Sequence, residues 1–270
     1  MISTLLLLVV AGFAAGVMAG LMGLGGGILF TPVLLLLFQA SGLEQPVLWT
    51  VGTSLLANFT TALSSVFKHL QLGNHYLREG SLLGIFGISG TVVGRWIITS
   101  SWYNETEFSL FFSAILLYAA WHFFYGDRKE SEENQSVSGL TVLQAALIGI
   151  AAGGMASLAG VGGGMIIVPA LSVMLGWPLL RIVSVSSTAI VWITFSGWMQ
   201  FMFMASPQTG ISGVTMGFVD LGVAAPLVVS SYFGARYGVR LFQVLSLRVL
   251  RWSFGTLVLL VALRLLYGIL

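Results

Sequence analysis

A 21-residue segment occurs twice in this chain, at residues 12–32 and 149–169, and the two copies align without a gap at an offset of 137. Twelve of the 21 positions are identical, including three consecutive glycines in each copy. Self-similarity at one fixed offset indicates a duplicated half. In both copies the glycines interrupt an apolar helix pattern, and each glycine costs about 1 kcal/mol relative to alanine inside a helix. We therefore predict two broken helices at matching positions.

The composition places these helices in a membrane. Hydrophobic residues make up 57% of the chain and charged residues only 7%, whereas a soluble domain carries roughly 25% charged residues. The net charge of +2 is too small to favour a nucleic-acid partner. The chain has no cysteine, which excludes disulfides and cysteine-ligated metals. We predict an all-α integral membrane protein in contact with lipid.

The apolar segments divide the chain into two repeats joined by a charged linker. Each repeat is predicted to contain a glycine-rich broken or re-entrant helical hairpin followed by three spans. The second arm of the first hairpin, residues 28–38, is about 16 Å long as a helix, which is roughly half of a bilayer. The predicted boundaries are repeat one at 1–125 (hairpin 5–38, spans 47–67, 80–99 and 107–125), the linker at 126–139, and repeat two at 140–270 (hairpin 140–175, spans 180–203, 214–235 and 247–268).

Two topologies compete, and the distribution of lysine and arginine distinguishes them. If residues 5–38 form one broken crossing, the basic residues divide five against six between the two sides. If they form a re-entrant hairpin, each half has three crossings, the second half is inverted, and the division becomes nine against two. The charge bias favours inverted repeats in the inner membrane, with the linker cytoplasmic and both termini outside. The hairpin and the single broken span remain the two alternatives.

The glycine tips of the two hairpins are candidate binding elements. They offer free backbone N–H groups, and the helix that follows each tip has a partial positive charge at its N-terminus, which favours an anion. The alternative is close helix packing, which explains Gly12, Gly16, Gly20, Gly149 and Gly153 better. The candidate substrate-binding glycines are Gly25, Gly26, Gly27, Gly162, Gly163 and Gly164.

Uncharged polar side chains in the spans after the hairpins are further candidates for the binding site. Hydroxyl and amide donors suit reversible binding of an anion, but serine and threonine in membrane helices also bond their own i−4 carbonyl or join helices. We align Thr53 and Ser54 with Ser187 and Thr188 as corresponding hydroxyl pairs. The candidates are Thr53, Ser54, Asn58, Ser187, Thr188 and Gln200.

Four charged residues repeat with the halves. Glu79 and Arg95 are 16 residues apart, as are Asp220 and Arg236. An acid at a helix start and an arginine at its end complement the helix dipole. The alternative roles are charge balance for an anion and coupling to an ion, because intramembrane ionisable groups are functional candidates. The three histidines match no metal-site spacing, and we expect neither a metal nor a cofactor.

The motifs resemble those of the TauE/SafE family of sulfite and organosulfonate exporters. The resemblance is most specific at residues 20–27 with Pro32, at residues 51–54, and at residues 159–164 with Pro169. It implies transport of a small sulfur oxyanion or sulfonate, such as sulfite or sulfoacetate. The chain departs from this expectation in having no lysine or arginine near the first tip, so backbone amides and Arg95 or Arg236 would have to balance a doubly charged solute.

We predict a secondary transporter that moves a small anion by alternating access, and not an enzyme. No phosphate-binding loop of the G-x-x-x-x-G-K-[ST] type is present, so a gradient of protons, sodium or the anion itself would drive transport. The alternatives are a passive anion channel and a membrane subunit serving a soluble partner. An intramembrane protease is disfavoured because Ser157 has no evident histidine partner. The sequence does not assign an oligomeric state.

Overall fold

The computed structural model describes residues 2–125, 139–241 and 247–267. The predicted linker 126–139 lies outside these residues except for its last position. The described residues form ten helices and one two-stranded hairpin. The first half contains α1 (Ile2–Met22), α2 (Gly27–Ala40), α3 (Pro46–Gln71), α4 (Leu77–Ile98) and α5 (Glu105–Tyr125), and the second half contains α6 (Val142–Ala159), α7 (Gly164–Leu175), α8 (Leu179–Met202), β1 (Thr215–Met216), β2 (Val219–Asp220), α9 (Leu221–Leu241) and α10 (Leu247–Tyr267).

The protein is an all-α membrane protein. Four of the described helices are long and apolar enough to cross a membrane, namely Thr4–Met22, Leu77–Ile98, Val142–Ala159 and Leu179–Met202. Helix α3 has 26 residues but is not among the four. It carries hydroxyl and amide side chains that are buried between other helices, and these polar groups lower its hydropathy.

The predicted span 214–235 begins too early. Residues 215–220 form the antiparallel hairpin β1–β2, in which Thr215 pairs with Asp220, and α9 begins at Leu221. Gly217 has a φ of +54° at the turn, a left-handed conformation that glycine adopts without steric cost. The helix therefore starts only after the chain has turned back on itself.

Small residues bring parallel helices into close contact. Gly12 of α1 lies against the backbone of Leu227, and Gly20 lies against Val239, so α1 and α9 run in the same direction. A second pair that joins the two halves, α4 and α6, is held by the same type of packing. Because apolar helices gain little from burial inside lipid, close van der Waals packing of this kind stabilises their association.

Helix α3 also runs parallel to α9. The backbone N–H of Asp220 donates to Thr53 Oγ1 at 3.1 Å, before the start of α9. Further along both helices, Thr61 Oγ1 donates to Ser231 Oγ at 2.8 Å. Helices α1, α3 and α9 therefore share one direction.

Helix α2 runs in the opposite direction to α3. Phe38, near the end of α2, packs on Trp49 near the start of α3, with ring centroids 6.3 Å apart. Thr31, near the start of α2, lies 3.2 Å from Ser54 further along α3, measured between the hydroxyl oxygens. Because α1 is parallel to α3 and α2 is antiparallel to it, residues 2–40 fold back as a helical hairpin.

Helices α3 and α8 occupy corresponding places in the two halves, and they cross antiparallel. Ser65 Oγ lies 3.1 Å from Ser187 Oγ, whereas the rings of Phe59 and Phe195 are 5.5 Å apart. Moving toward the start of α3 therefore means moving toward the end of α8. The corresponding helices of the two halves point in opposite directions at the centre of the bundle.

Candidate functional site

Both helix breaks are made of glycines in conformations that other residues rarely adopt. Between α1 and α2, Gly23 and Gly25 have φ values of +64° and +81°. Between α6 and α7, Gly160, Gly162 and Gly163 have values of +69°, +82° and +85°. A side chain costs about 1–2 kcal/mol in this region. Glycine is therefore required by the backbone at these five positions of the two tips, which we define as residues 23–27 and 160–164.

The two tips touch each other. A Cβ atom on Gly27 would lie 2.5 Å from Val161 Cα, and a Cβ atom on Gly164 would lie 2.6 Å from Leu24 Cα. Both tips are fully buried. The C-terminal ends of α1 and α6 and the N-terminal ends of α2 and α7 therefore meet inside the protein.

A serine from each half binds the end of the other half's broken helix. Ser54 Oγ donates to Gly160 O at 2.7 Å, and Ser186 Oγ donates to Gly23 O at 2.6 Å. These carbonyls lie at the C-terminal ends of α6 and α1, where intrahelical partners are missing. The structure therefore pairs Ser54 with Ser186, which differs from the sequence alignment of Ser54 with Thr188.

Asn58 lies between the tips. Its Nδ2 donates to Gly160 O at 2.8 Å, and a Cβ atom on Gly162 would lie 3.6 Å from its Cγ. The residue is fully buried. Within the described part of the chain, its Oδ1 has no hydrogen-bond partner. The amide therefore offers an unused acceptor to the centre of the protein.

The helices that leave the tips begin without a side-chain cap. The N-cap residues are Gly26 in α2 and Gly163 in α7. In the described part of the chain, no side chain caps the N–H groups at either helix start. By contrast, α6 begins with a complete capping box formed by Thr141 and Gln144. The first N–H groups of a helix have no intrahelical acceptor. Two helix N-termini with partial positive charge are therefore buried beside Asn58.

The other predicted hydroxyl residues bind elsewhere. Thr188 Oγ1 donates to its own i−4 carbonyl, Ser184 O, at 3.0 Å, which is the ordinary behaviour of threonine in a helix. Ser187 bonds Ser65 of α3. Thr53 accepts from the backbone N–H of Asp220. Ser187 and Thr53 thus join different elements, Thr188 bonds within its own helix, and none of these bonds reaches the contact between the tips.

Asp220 fixes the start of α9. Its Oδ1 accepts from the N–H of Val223 at 3.1 Å, the geometry of an N-cap. The same carboxylate accepts from the N–H and the hydroxyl of Ser212. The side chain is fully buried, and these bonds satisfy it. The structure thus gives Asp220 the role of an N-cap, which is a more specific contact than the dipole interaction considered for an acid at a helix start.

Two of the remaining charged candidates are paired. Glu79 Oε1 lies 3.2 Å from Arg181 Nη2 in a partly exposed ion pair. Arg236 Nη1 donates to the hydroxyl of Tyr232 at 2.9 Å. The guanidinium of Arg181 also lies 3.8 Å from the ring centroid of Trp177. Glu79 and Arg236 therefore have local partners on the outer parts of the bundle.

Arg95 and Gln200 share a cleft between α4 and α8. Its volume is about 480 Å³. Gln200 Nε2 donates to Thr91 Oγ1 at 2.8 Å and to Ser196 Oγ at 3.1 Å. No described carboxylate lies within ion-pair distance of Arg95. The cleft is lined by Ile88, Arg95, Trp192, Phe195, Ser196, Met199, Gln200 and Phe203.

Buried helix ends that meet within a membrane bundle are typical of membrane transporters. The comparison with protein families agrees, since residues 8–265 match the family described as sulfite exporter TauE/SafE. The chain belongs to this family.

Several curated relatives are named as probable membrane transporter proteins. One from Methanocaldococcus jannaschii is 27% identical over 91% of this chain and 89% of its own length. One from Haemophilus influenzae is 26% identical over 98% of both chains. The relative YunE of Bacillus subtilis is 26% identical over 97% of both chains. No solved structure shows significant similarity to the chain. The protein is therefore a membrane transporter.

Proposed function

We propose that the protein is a secondary transporter that moves a small anion, an organosulfonate such as sulfoacetate or sulfite, across the inner membrane. The observation that carries the proposal is the burial of two uncapped helix N-termini, those of α2 and α7, at the contact between the tips. Such N-termini bind anions through their N–H groups and their partial positive charge. The substrate-binding elements are the two tips together with Asn58.

The absence of a formal charge at the described tips fits a carrier. Backbone N–H groups and an amide bind an anion without a strong ion pair, so the anion is released when the site opens. In the occluded arrangement the tips are packed against each other, and one half has to move before a solute enters. The unpaired Arg95 in the cleft between α4 and α8 is placed to attract the anion toward the protein.

The direction of the helices supports alternating access. Helices α3 and α8 cross antiparallel, as corresponding helices do in inverted repeats. Inverted repeats place two equivalent gates on opposite sides of a central site, so that movement of one half against the other exposes the site to each side in turn. A gradient of protons, sodium or the anion drives the cycle.

A panel of anions tests the proposed function. Purified protein in proteoliposomes is assayed for uptake, and in detergent for thermal stabilisation, with sulfite, sulfoacetate, taurine, sulfate, acetate and chloride. We expect saturable uptake and stabilisation with sulfite or sulfoacetate, because tetrahedral or pyramidal oxyanions present several acceptors to the two N-termini. Protein-free liposomes are the control. If acetate and chloride stabilise the protein as much as sulfite does, the assignment of sulfur oxyanions as substrates is wrong. If none of the anions stabilises the protein or is taken up, the result contradicts anion transport.

A further inference from the structure

The free oxygen of Asn58 indicates which anion the site selects. The orientation of the amide is determined by its neighbour, because Gly160 O lies 2.8 Å away and a carbonyl oxygen accepts only from the nitrogen side. Oδ1 therefore points away from this carbonyl. A Cβ atom on Gly25 would lie 3.2 Å from Oδ1, so the oxygen faces the first tip.

An unpaired acceptor at this depth is unusual. Asn58 is fully buried, and no described group donates to its Oδ1. Buried polar atoms are nearly always hydrogen-bonded, and an unsatisfied one in a native protein calls for a ligand, a water or an ion. The oxygen lies beside the N-terminal turns that we assign to anion binding, so the bound solute itself is in position to satisfy it.

The two halves differ at this point. The residue of α8 that faces both tips is Ile190, whose side-chain carbons would lie 3.7 Å from a Cβ atom on Gly25 and 3.2 Å from one on Gly162. Asn58 faces the same two glycines from α3. Of the two residues that face both Gly25 and Gly162, Asn58 therefore carries an acceptor and Ile190 carries only hydrocarbon.

We propose that the transported anion carries its own hydrogen-bond donor, which it gives to Asn58 Oδ1. The chemical class is a small oxyanion with one O–H group, such as a protonated oxyanion or a hydroxysulfonate; of the two solutes named above, hydrogen sulfite belongs to it and the sulfoacetate dianion does not. The unprotonated oxygens face the N–H groups at the starts of α2 and α7. This inference rests on the proposed function and refines its substrate class.

A matched pair of solutes tests the inference. We compare 2-hydroxyethanesulfonate with ethanesulfonate, which has the same charge and nearly the same shape but no donor. Each is titrated as a competitor of labelled sulfite uptake and as a stabiliser in thermal melts. Because a site with a buried polar group rejects an analogue that leaves the group unpaired, we expect the hydroxylated compound to bind at least about tenfold more tightly.

Two variants separate the acceptor from the local structure. Asn58→Leu removes Oδ1 and also the bond to Gly160 O, and it is expected to bring the ratio of the two affinities to about one. Ser54→Ala removes a bond to the same carbonyl but leaves Oδ1 in place, and the ratio is expected to persist. If Asn58→Leu does not fold, the comparison of the two solutes on the unmodified protein still tests whether the site prefers an anion with a hydrogen-bond donor.

Two outcomes would overturn the inference. They are equal affinity for the two sulfonates in the unmodified protein, and a preference that survives Asn58→Leu. In each of these cases sulfite uptake persists and the proposed function stands. If none of the sulfur oxyanions binds or is transported, the proposed function fails together with the inference.

Discussion

Replacing Gly27 by alanine is expected to reduce transport at least about tenfold. A Cβ atom there would lie 2.5 Å from Val161 Cα and 2.6 Å from Asn58 Nδ2. Because Val161 Cα is a backbone atom of the second tip, the two tips have to separate, and the anion site loses its geometry. Overpacking of this kind costs about 1–3 kcal/mol. Uptake of labelled sulfite and the thermal midpoint are measured together.

The second tip provides an independent test of the same contact. Gly164→Ala places a Cβ atom 2.6 Å from Leu24 Cα and 2.7 Å from Gly23 O, and it is expected to impair transport to a similar extent. Gly154→Ala is the control, because a Cβ atom there meets only Gly90 O, at 3.7 Å. Normal transport by both tip variants would show that the tips are not in contact during the cycle.

The second large effect is expected on stability, from Gly153→Ala. A Cβ atom at this position would overlap the backbone oxygen of Gly87 and would lie 3.0 Å from Thr91 N. Both are backbone atoms of α4, so α6 has to move away and the helix contact is lost. We expect a loss of about 1–3 kcal/mol in the free energy of unfolding, measured as a lower thermal midpoint in detergent.

The neighbouring glycine makes this a matched comparison. Gly154 lies in the same helix and has free space for a methyl group, and alanine is favoured over glycine in a helix by about 1 kcal/mol. Gly154→Ala is therefore expected to leave stability unchanged or to raise it. Equal destabilisation by both substitutions would mean that loss of glycine, and not overlap with α4, causes the effect.

The sequence predicted the all-α membrane fold and the two helix breaks, because an apolar composition and a duplicated triple-glycine segment leave few alternatives. It also placed Asn58 and Ser54 among the binding candidates. Sequence could not show that Ser54 and Asn58 both donate to Gly160 O, since these contacts join residues more than 100 positions apart.

The pairing of hydroxyl residues between the halves was misaligned for a physical reason. Helix α2 has 14 residues and α7 has 12, and the connection after α7 is also shorter. These differences remove four residues, and Ser186 lies one residue nearer to the start of α8 than Ser54 lies to the start of α3, so the offset falls from 137 at the tips to 132 at Ser54 and Ser186. The match of Thr53 and Ser54 with Ser187 and Thr188 corresponds to an offset of 134, two residues away from the offset that the hydrogen bonds give.

The hairpin β1–β2 was not predicted because residues 214–235 read as one continuous apolar run. A signal was present in Gly217 and Asp220, a turn residue followed by a helix-capping residue. In a membrane protein the hydropathy of such a run outweighs these short signals. The N-cap bond from Val223 to Asp220 is shown by the structure, and the alternative role of Asp220 in ion coupling stays a prediction.

Counterflow is the measurement that tests alternating access at the tips most directly. Proteoliposomes are loaded with a high concentration of the unlabelled anion that shows saturable uptake, and are diluted into a trace of the same labelled anion with the membrane potential clamped at zero. A carrier whose site opens to one side at a time exchanges label for unlabelled solute, so the label is expected to accumulate transiently above its equilibrium level. A smooth approach to equilibrium without an overshoot would indicate a passive channel and would contradict the transporter mechanism.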